Sequence, residues 1–341
     1  MKNILILSDG KSGHENVSKG IIENLKNLES LQVKTMIVKI RFSFFKFPLK
    51  YIVNSKYLNK ILSKKFIKFF YSYDNDHIDF QNTNLVISTG GKTSFINVMF
   101  SKLYNINNVY CSSLRGLKND LFKYIVTINK NDTYKNALKF DITPLKINFN
   151  NTNAMNFLKK LSLKENQKIW SILIGGPTAE YKFTEDELIE LINKIVQKAR
   201  EKDIKVLLST SRRTPLKIEN YIEKKISKYQ NIVYCVLYNK NPEKILSNYL
   251  QISDLIFITE DSGSMITESI YSKKPTITIQ SKQMNPQKIF KLFIKNITKN
   301  RYIYSFSVDD IIDLDIEKLT FVKYDESKNK HNFMQLKNAL S

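Results

Sequence analysis

Four short clusters in this chain join glycine, hydroxyl and charged side chains directly behind apolar runs that read as β-strands. In open parallel sheets ligands lie outside the carboxyl ends of the strands, so these positions are where chemistry belongs. The first cluster is Ser8-Asp9-Gly10-Lys11-Ser12-Gly13-His14. Gly10 and Gly13 permit a tight turn, and the helix expected behind them offers free N–H groups. The spacing matches neither a phosphate loop nor a GxGxxG turn. His14 is one of three histidines, with His77 and His331. At a strand-to-helix turn, either Asp9 or His14 can serve as the base that deprotonates an acceptor hydroxyl. The second cluster, Thr89-Gly90-Gly91-Lys92-Thr93, reads as an anion seat at a helix start, or else as an ordinary glycine turn with a capping threonine.

Two further clusters lie in the second half. Gly175-Gly176-Pro177-Thr178 ends a strand where the backbone must pass close to something. With Ser211-Arg212-Arg213-Thr214, it faces the question of what two adjacent arginines do in a chain that otherwise uses lysine. A planar, bidentate grip on a pyrophosphate is the natural answer. Asp261-Ser262-Gly263-Ser264 then presents small polar residues at a helix start, suited to phosphate. Glu268, two turns on, can reach back to the vicinal hydroxyls of a ribose. No His/Cys cluster demands a metal; Glu260-Asp261 is the only carboxylate pair of any interest. Metal-independent chemistry with no cofactor is expected.

The elements that must carry these clusters are legible from apolar periodicity. Strands are expected at Asn3–Leu7, Val33–Lys39, Leu85–Ser88, Asn108–Cys111 and Tyr124–Ile128, with helices at His14–Leu28 and Thr93–Leu103. The Asn-rich stretch Asn148–Asn156 reads as a linker, after which the pattern restarts. Strands follow at Ile169–Ile174, Lys205–Thr210, Ile232–Val236, Leu255–Thr259 and Thr276–Ile279. A helix over Thr184–Glu201 has Thr184 as its N-cap and Glu185, Asp186 and Glu187 in its first turn. Strand–helix alternation of this kind makes the fold class α/β with two successive parallel-sheet domains, 1–150 and 151–300, and a C-terminal extension, 301–341, packing back on the first. A helix near Pro286–Lys299 is expected to cross between them.

Length and composition agree with two folded domains: 341 residues, 42% hydrophobic and no apolar run near the length of a bilayer span; a secretory leader is not expected from the short apolar run at Ile4–Leu7. A cytoplasmic setting, peripheral to the inner face of the membrane, is the expectation, with Cys111 and Cys235 as free thiols. The formal charge of +22 invites a nucleic-acid reading, but only six of the 54 basic residues are arginine, the side chain that direct readout favours. No nucleic-acid partner is expected. The charge is uneven: residues 1–160 carry +15 and residues 161–341 carry +7. Within the basic half, Arg41–Tyr73 holds eight basic residues and no acidic one. Leu58, Ile61, Leu62, Phe66, Phe69, Phe70 and Tyr73 recur there at helical spacing, below Phe42, Phe44, Phe45 and Phe47. Such a helix either packs on the sheet or lies on an anionic membrane surface.

The four clusters in this order resemble the mitochondrial-fission Elm family, which is widespread in bacteria. The resemblance rests on Ser8-Asp9-Gly10-Lys11 with Gly13-His14, Gly175-Gly176-Pro177, Thr210-Ser211-Arg212-Arg213-Thr214-Pro215, and Asp261-Ser262 with Ser264-Met265 and Glu268. Val17 stands where the family has Gln, and Gly91-Lys92-Thr93 where it has an arginine-rich turn. The family looks like a GT-B glycosyltransferase group. This implies two Rossmann-like domains facing a cleft, an N-terminal acceptor domain and a C-terminal nucleotide-sugar domain. It puts Glu268 on ribose and Ser262–Ser264 on phosphate, with Gly175, Gly176, Ser211, Arg212, Arg213 and Asp261 on the donor side. Gly10, Lys11, Gly13, Gly90, Gly91, Lys92 and Thr93 fall on the acceptor side, beside the catalytic Asp9 and His14. The partners implied are a nucleotide-sugar donor and a glycan or lipid-linked acceptor of the cell envelope. The rival readings are a non-catalytic protein recruited to membranes and a nucleotide-sugar epimerase.

Overall fold

A computed structural model describes residues 1–74, 78–130, 132–163, 166–226 and 228–340. The chain divides into two compact units, Met1–Lys146 with Asp325–Ser341, and Ile147–Tyr324. The first unit runs β1 (Lys2–Ser8), α1 (Ser12–Lys26), β2 (Leu31–Ile40), α2 (Lys46–Asn54), α3 (Leu58–Ile61), α4 (Lys64–Phe70), β3 (Tyr71–Tyr73), β4 (Leu85–Thr89), α5 (Ser94–Tyr104), β5 (Asn107–Cys111), β6 (Tyr124–Thr127) and β7 (Ala137–Lys139). Its sheet is ordered β3-β2-β1-β4-β5-β6-β7 and is parallel except for the β2–β3 pair. Strand β1 is apolar on both faces because both are covered. Leu5 and Leu7 join Val86 and Phe100 in one core; Ile4 and Ile6 join Ile21 and Leu336 in the other.

The second unit runs α6 (Asn151–Lys160), β8 (Ile169–Leu173), α7 (Glu185–Glu201), β9 (Lys205–Ser209), α8 (Leu216–Ile226), β10 (Ile232–Val236), α9 (Leu246–Ile252), β11 (Leu255–Thr259), α10 (Gly263–Tyr271), β12 (Thr276–Gln280), α11 (Lys288–Lys299) and β13 (Tyr304–Ser307). Its all-parallel sheet is ordered β10-β9-β8-β11-β12-β13. Thr184 caps α7 as expected: its hydroxyl accepts from the Glu187 amide while the Glu187 carboxylate accepts from the Thr184 amide at 2.8 Å. A last helix, α12 (Lys330–Lys337), belongs to the first unit. Both sheets reverse their winding beside their first strand, β1 against β4 and β8 against β11. That is the switch point where doubly wound sheets bind ligands.

Three expectations change. The Asn-rich stretch is no linker: Asn150 caps α6 by accepting from the Asn153 amide, and Ala154 and Phe157 are buried against the second unit. Residues 301–324 are no extension, since β13 pairs with β12 and completes the second sheet. Nor is Leu58–Tyr73 one amphipathic helix. Extended backbone at Leu62 breaks it, Ser63 starts α4 by capping Phe66, and Tyr71–Tyr73 turns into an antiparallel edge strand. Leu49, Val53, Leu58, Ile67 and Phe70 point inward, while Phe42, Phe44, Phe47, Tyr51, Tyr57, Ile61 and Phe69 are exposed.

Candidate active site

At the β1–β4 switch point, Asp9 leaves the strand and His14 follows in the first turn of α1. The Asp9 side chain is only 3% exposed, and its two oxygens lie 3.0 and 3.1 Å from His14 Nδ1. An ionised carboxylate can only accept, so Nδ1 is the donor in this pair, and in the neutral imidazole Nε2 is then the nitrogen open to a substrate. Gly90, at φ +91°, lies flat against this pair; a Cβ there would overlap the imidazole. Its glycine character thus makes room for His14 and need not serve an anion. Thr93 is fully buried and spends its hydroxyl on the carbonyls of Thr89 and Gly90, at 3.0 and 2.9 Å, so it is not offered to a ligand. Gly10 takes φ +78°, and neither it nor Gly13 has a neighbour where a Cβ would stand. His77 lies outside the described residues.

Asp9, Lys11, His14, Gly91 and Lys92 line one hollow of about 580 Å³. Lys46 and Lys50, from the basic Arg41–Tyr73 run, join them, as do Arg115, Phe95, Leu114 and Leu117, which sequence reasoning did not place at a site. Arg115 carried a usable signal, being a lone arginine before a glycine in a lysine-rich chain. Within the Arg41–Tyr73 run, nothing local set Lys46 and Lys50 apart from equally basic neighbours.

In the second unit, the loops after β8, β9 and β11 are laced together. Asp261 is wholly buried by its side chain, forms an ion pair with Arg213, and accepts from the Gly176 amide at 3.2 Å. Its other oxygen is buried without a partner, and burial raises its pKa against the pull of Thr259 and Arg213. Ser211 donates to the Gly175 carbonyl at 2.8 Å, and Thr214 donates to the carbonyls of Gly175 and Ile174 at 2.5 and 3.2 Å. Thr259 accepts from the Gly175 amide at 2.6 Å. A Cβ on Gly175 would overlap the Asp261 carboxylate, and one on Gly176 the Arg213 backbone. These glycines admit the neighbouring loops. The structure also separates the two arginines: Arg213 is committed to Asp261, while Arg212 is exposed with no ion pair among the described residues. Thr214 and Thr259 stood within the clusters read from the sequence, but their role as partners of Gly175 was not legible there.

Helix α10 begins at this lacing. Its N-cap, Ser262, is buried and makes no side-chain cap, so the N–H groups of the first turn stay open. Ser264 is exposed, and Glu268 lies one turn further along the same face. The Glu268 carboxylate is partly buried and has no hydrogen-bond partner among the described residues; burial pushes its pKa up to about 7. Glu260 is different, holding Tyr181, Thr278 and Ser305 together as a packed anchor. Both members of the Glu260-Asp261 pair are therefore engaged by protein donors. Cys111 and Cys235 are free thiols held up at about 12 by burial.

The chain resembles solved structures along its whole length. ADP-heptose lipopolysaccharide heptosyltransferase II of E. coli aligns at a TM-score of 0.53 and 11% identity, covering 100% of this chain and 98% of that one. UDP-GlcNAc 2-epimerase of Methanocaldococcus jannaschii aligns at 0.60 and 12%, covering 99% and 100%. A UDP-glucosyltransferase of Polygonum tinctorium aligns at 0.54 and 9%, covering 99% and 94%. Identities this low speak for the fold alone, which is α/β with two Rossmann-like units of the GT-B type. No protein of curated function matches the sequence. The family comparison reaches further, matching residues 12–329. With nearly its whole length matched, the chain belongs to the mitochondrial fission ELM1 family.

Proposed function

We propose that this protein transfers a sugar from a nucleotide-sugar donor to a hydroxyl of a glycan or lipid-linked acceptor. The observation that carries this reading is Glu268: a partly buried carboxylate, without a hydrogen-bond partner among the described residues, one turn beyond an uncapped helix start at a switch point. A carboxylate held this way lacks the hydroxyl donors that a ribose diol supplies. The open N–H groups of α10 and the free Arg212 take the diphosphate, while the Arg213–Asp261 pair holds the loops in place. Structures sharing this fold include proteins whose names specify ADP-heptose and UDP-GlcNAc, which supports a nucleotide-linked donor.

In the transfer, His14 Nε2 takes the proton of the acceptor hydroxyl, with Asp9 holding the imidazole in the required tautomer. The hydroxyl oxygen bonds to the anomeric carbon. The bond from that carbon to the phosphate oxygen breaks, and its electron pair leaves on the nucleoside diphosphate. Arg212 and the α10 amides stabilise that developing charge. Calorimetric titration with nucleoside diphosphates tests the donor site: binding that disappears in Glu268→Ala while the fold persists supports it, and unchanged binding removes it. Chelator treatment that leaves the rate unaltered is expected for a reaction needing no metal. Release of a modified sugar with no acceptor present would favour an epimerase instead.

A further inference from the structure

The hollow of the first unit holds more positive charge than a hydroxyl acceptor needs. Lys11, Lys46, Lys50, Lys92 and Arg115 line it, none in an ion pair among the described residues. The sole carboxylate in its lining, Asp9, is taken by His14. Converging cations of this kind repel one another unless an anion joins them.

The positions are also built. Arg115 sits at φ +49° and is followed by Gly116 at φ +87°, where a Cβ would overlap the end of Lys50. The Asn54 side chain fastens this turn to α2, donating to the Gly116 carbonyl and accepting from the Lys118 amide, both at 2.9 Å. Helix α2 itself contributes Lys46 and Lys50, one turn apart. A Cβ on Gly91 would lie 3.2 Å from Arg115 Nη1, so that glycine too leaves the guanidinium its space.

An apolar ridge borders the same hollow. Phe44 and Phe47 line it and are 67% and 72% exposed. Phe44 packs on Phe42 and Phe45, with ring centroids 5.5 and 4.7 Å apart, and Phe47 packs on Tyr51 at 5.1 Å. Phe45 ties the ridge to the core through Phe70 at 5.0 Å. Rings held up in water at a basic surface are the side chains that settle in a lipid interface, where lysine stems follow and their ammonium groups meet phosphate.

We propose that this hollow and its aromatic ridge bind the phosphate of an anionic lipid at a membrane surface, with the phosphate on Lys50 and Arg115 and the acyl region against Phe44 and Phe47. Inorganic phosphate would leave the rings unpartnered, and a neutral amphiphile would leave the cations unpartnered. That the bound lipid is the sugar acceptor rests on the transfer reading above; the binding itself does not.

The test uses the full chain with dodecyl phosphate below its micelle-forming concentration, inorganic phosphate, a neutral dodecyl glycoside, and phosphatidylcholine vesicles with and without phosphatidate. Dodecyl phosphate should bind at one site at least about tenfold more tightly than either fragment probe. Lys50→Gln and Arg115→Gln should each weaken it about five- to tenfold, and added salt should weaken it in the parent. The Phe44→Ser/Phe47→Ser double variant should lose retention on phosphatidate vesicles while keeping its melting temperature, since both rings are exposed. Equal affinity for inorganic phosphate, equal affinity for the glycoside, or variants that bind like the parent would each overturn the proposal. So would a DNA oligomer that outcompetes phosphatidate vesicles. Nucleotide binding measured on the same preparations separates the two readings. Its loss with dodecyl phosphate still bound ends the transferase assignment and leaves this site standing, and the reverse outcome ends this site alone.

Discussion

Glu268 and the Asp9–His14 pair make opposite demands on protons. Glu268 holds its proton up to about pH 7, whereas a ribose diol needs the ionised carboxylate as acceptor. Nucleotide affinity should therefore fall as pH drops from 8 to 6, by about tenfold at most for one group, and Glu268→Gln should flatten that profile. The stability consequence has a fixed sign. Because the folded pKa is raised, the carboxyl costs nothing below its unfolded value near 4.5, where it is protonated in both states, and its full cost is present above about 7. Glu268→Gln should thus stabilise the fold at pH 8, by on the order of 1–3 kcal/mol where the effect is complete, and leave its stability unchanged at pH 4, as read by denaturant unfolding. A variant that gains stability as it loses ligand marks a site kept for binding. His14→Ala and Asp9→Asn should each lower the transfer rate by about 10²–10⁴. Nucleotide titrations of the same variants should be unaffected, because neither residue belongs to the donor set.

At the scale of elements, the three loops of the second unit behave as one object. Gly175→Ala drives a methyl into the Asp261 carboxylate and should cost about 1–3 kcal/mol in denaturant unfolding. Asp261→Ala alone leaves the exposed Arg213 to solvent and deprives the Gly176 amide of its acceptor, and should cost about 1–2 kcal/mol. The two together should cost clearly less than their sum, because the second removes the group the first strikes. Additive costs would show that the loops do not share this packing. Much of this was visible beforehand: glycine pairs after strands, and hydroxyls before helices, are local signatures of turns and caps. What they turn toward was not visible. Gly175 and Thr259 lie 84 residues apart and Arg213 and Asp261 lie 48 apart, separations at which sequence spacing carries no distance information.

For the whole molecule, the C-terminal segment matters to the first unit. Leu336 on α12 is fully buried in the core formed by Ile4, Ile6 and Ile21, and Lys337 reaches Glu29 and the Leu28 carbonyl. Leu336→Ala should cost about 2–5 kcal/mol. Read by unfolding with and without nucleotide, the loss should persist at saturating nucleotide, since ligand held by the second unit stabilises that unit. The charge asymmetry acts at this scale too: the +15 of residues 1–160 makes any association of the first unit with an anionic surface weaken as salt rises.

The alternation of apolar strands with amphipathic helices was enough to specify the α/β class, two parallel sheets and the strand ends where the candidate residues sit. Those features depend on neighbours within a few turns, and backbone geometry ties side-chain direction to such short periods. The tertiary structure alone decided the partners. It placed Asp9 on His14 with Gly90 behind the ring, took Arg213 for Asp261 while leaving Arg212 free, and brought Lys50 to Arg115. It also broke the Arg41–Tyr73 segment and assigned α6 and α12 to their units. Each of these depends on sheet register and crossover paths, which set which distant side chains face one another and leave no trace in local spacing.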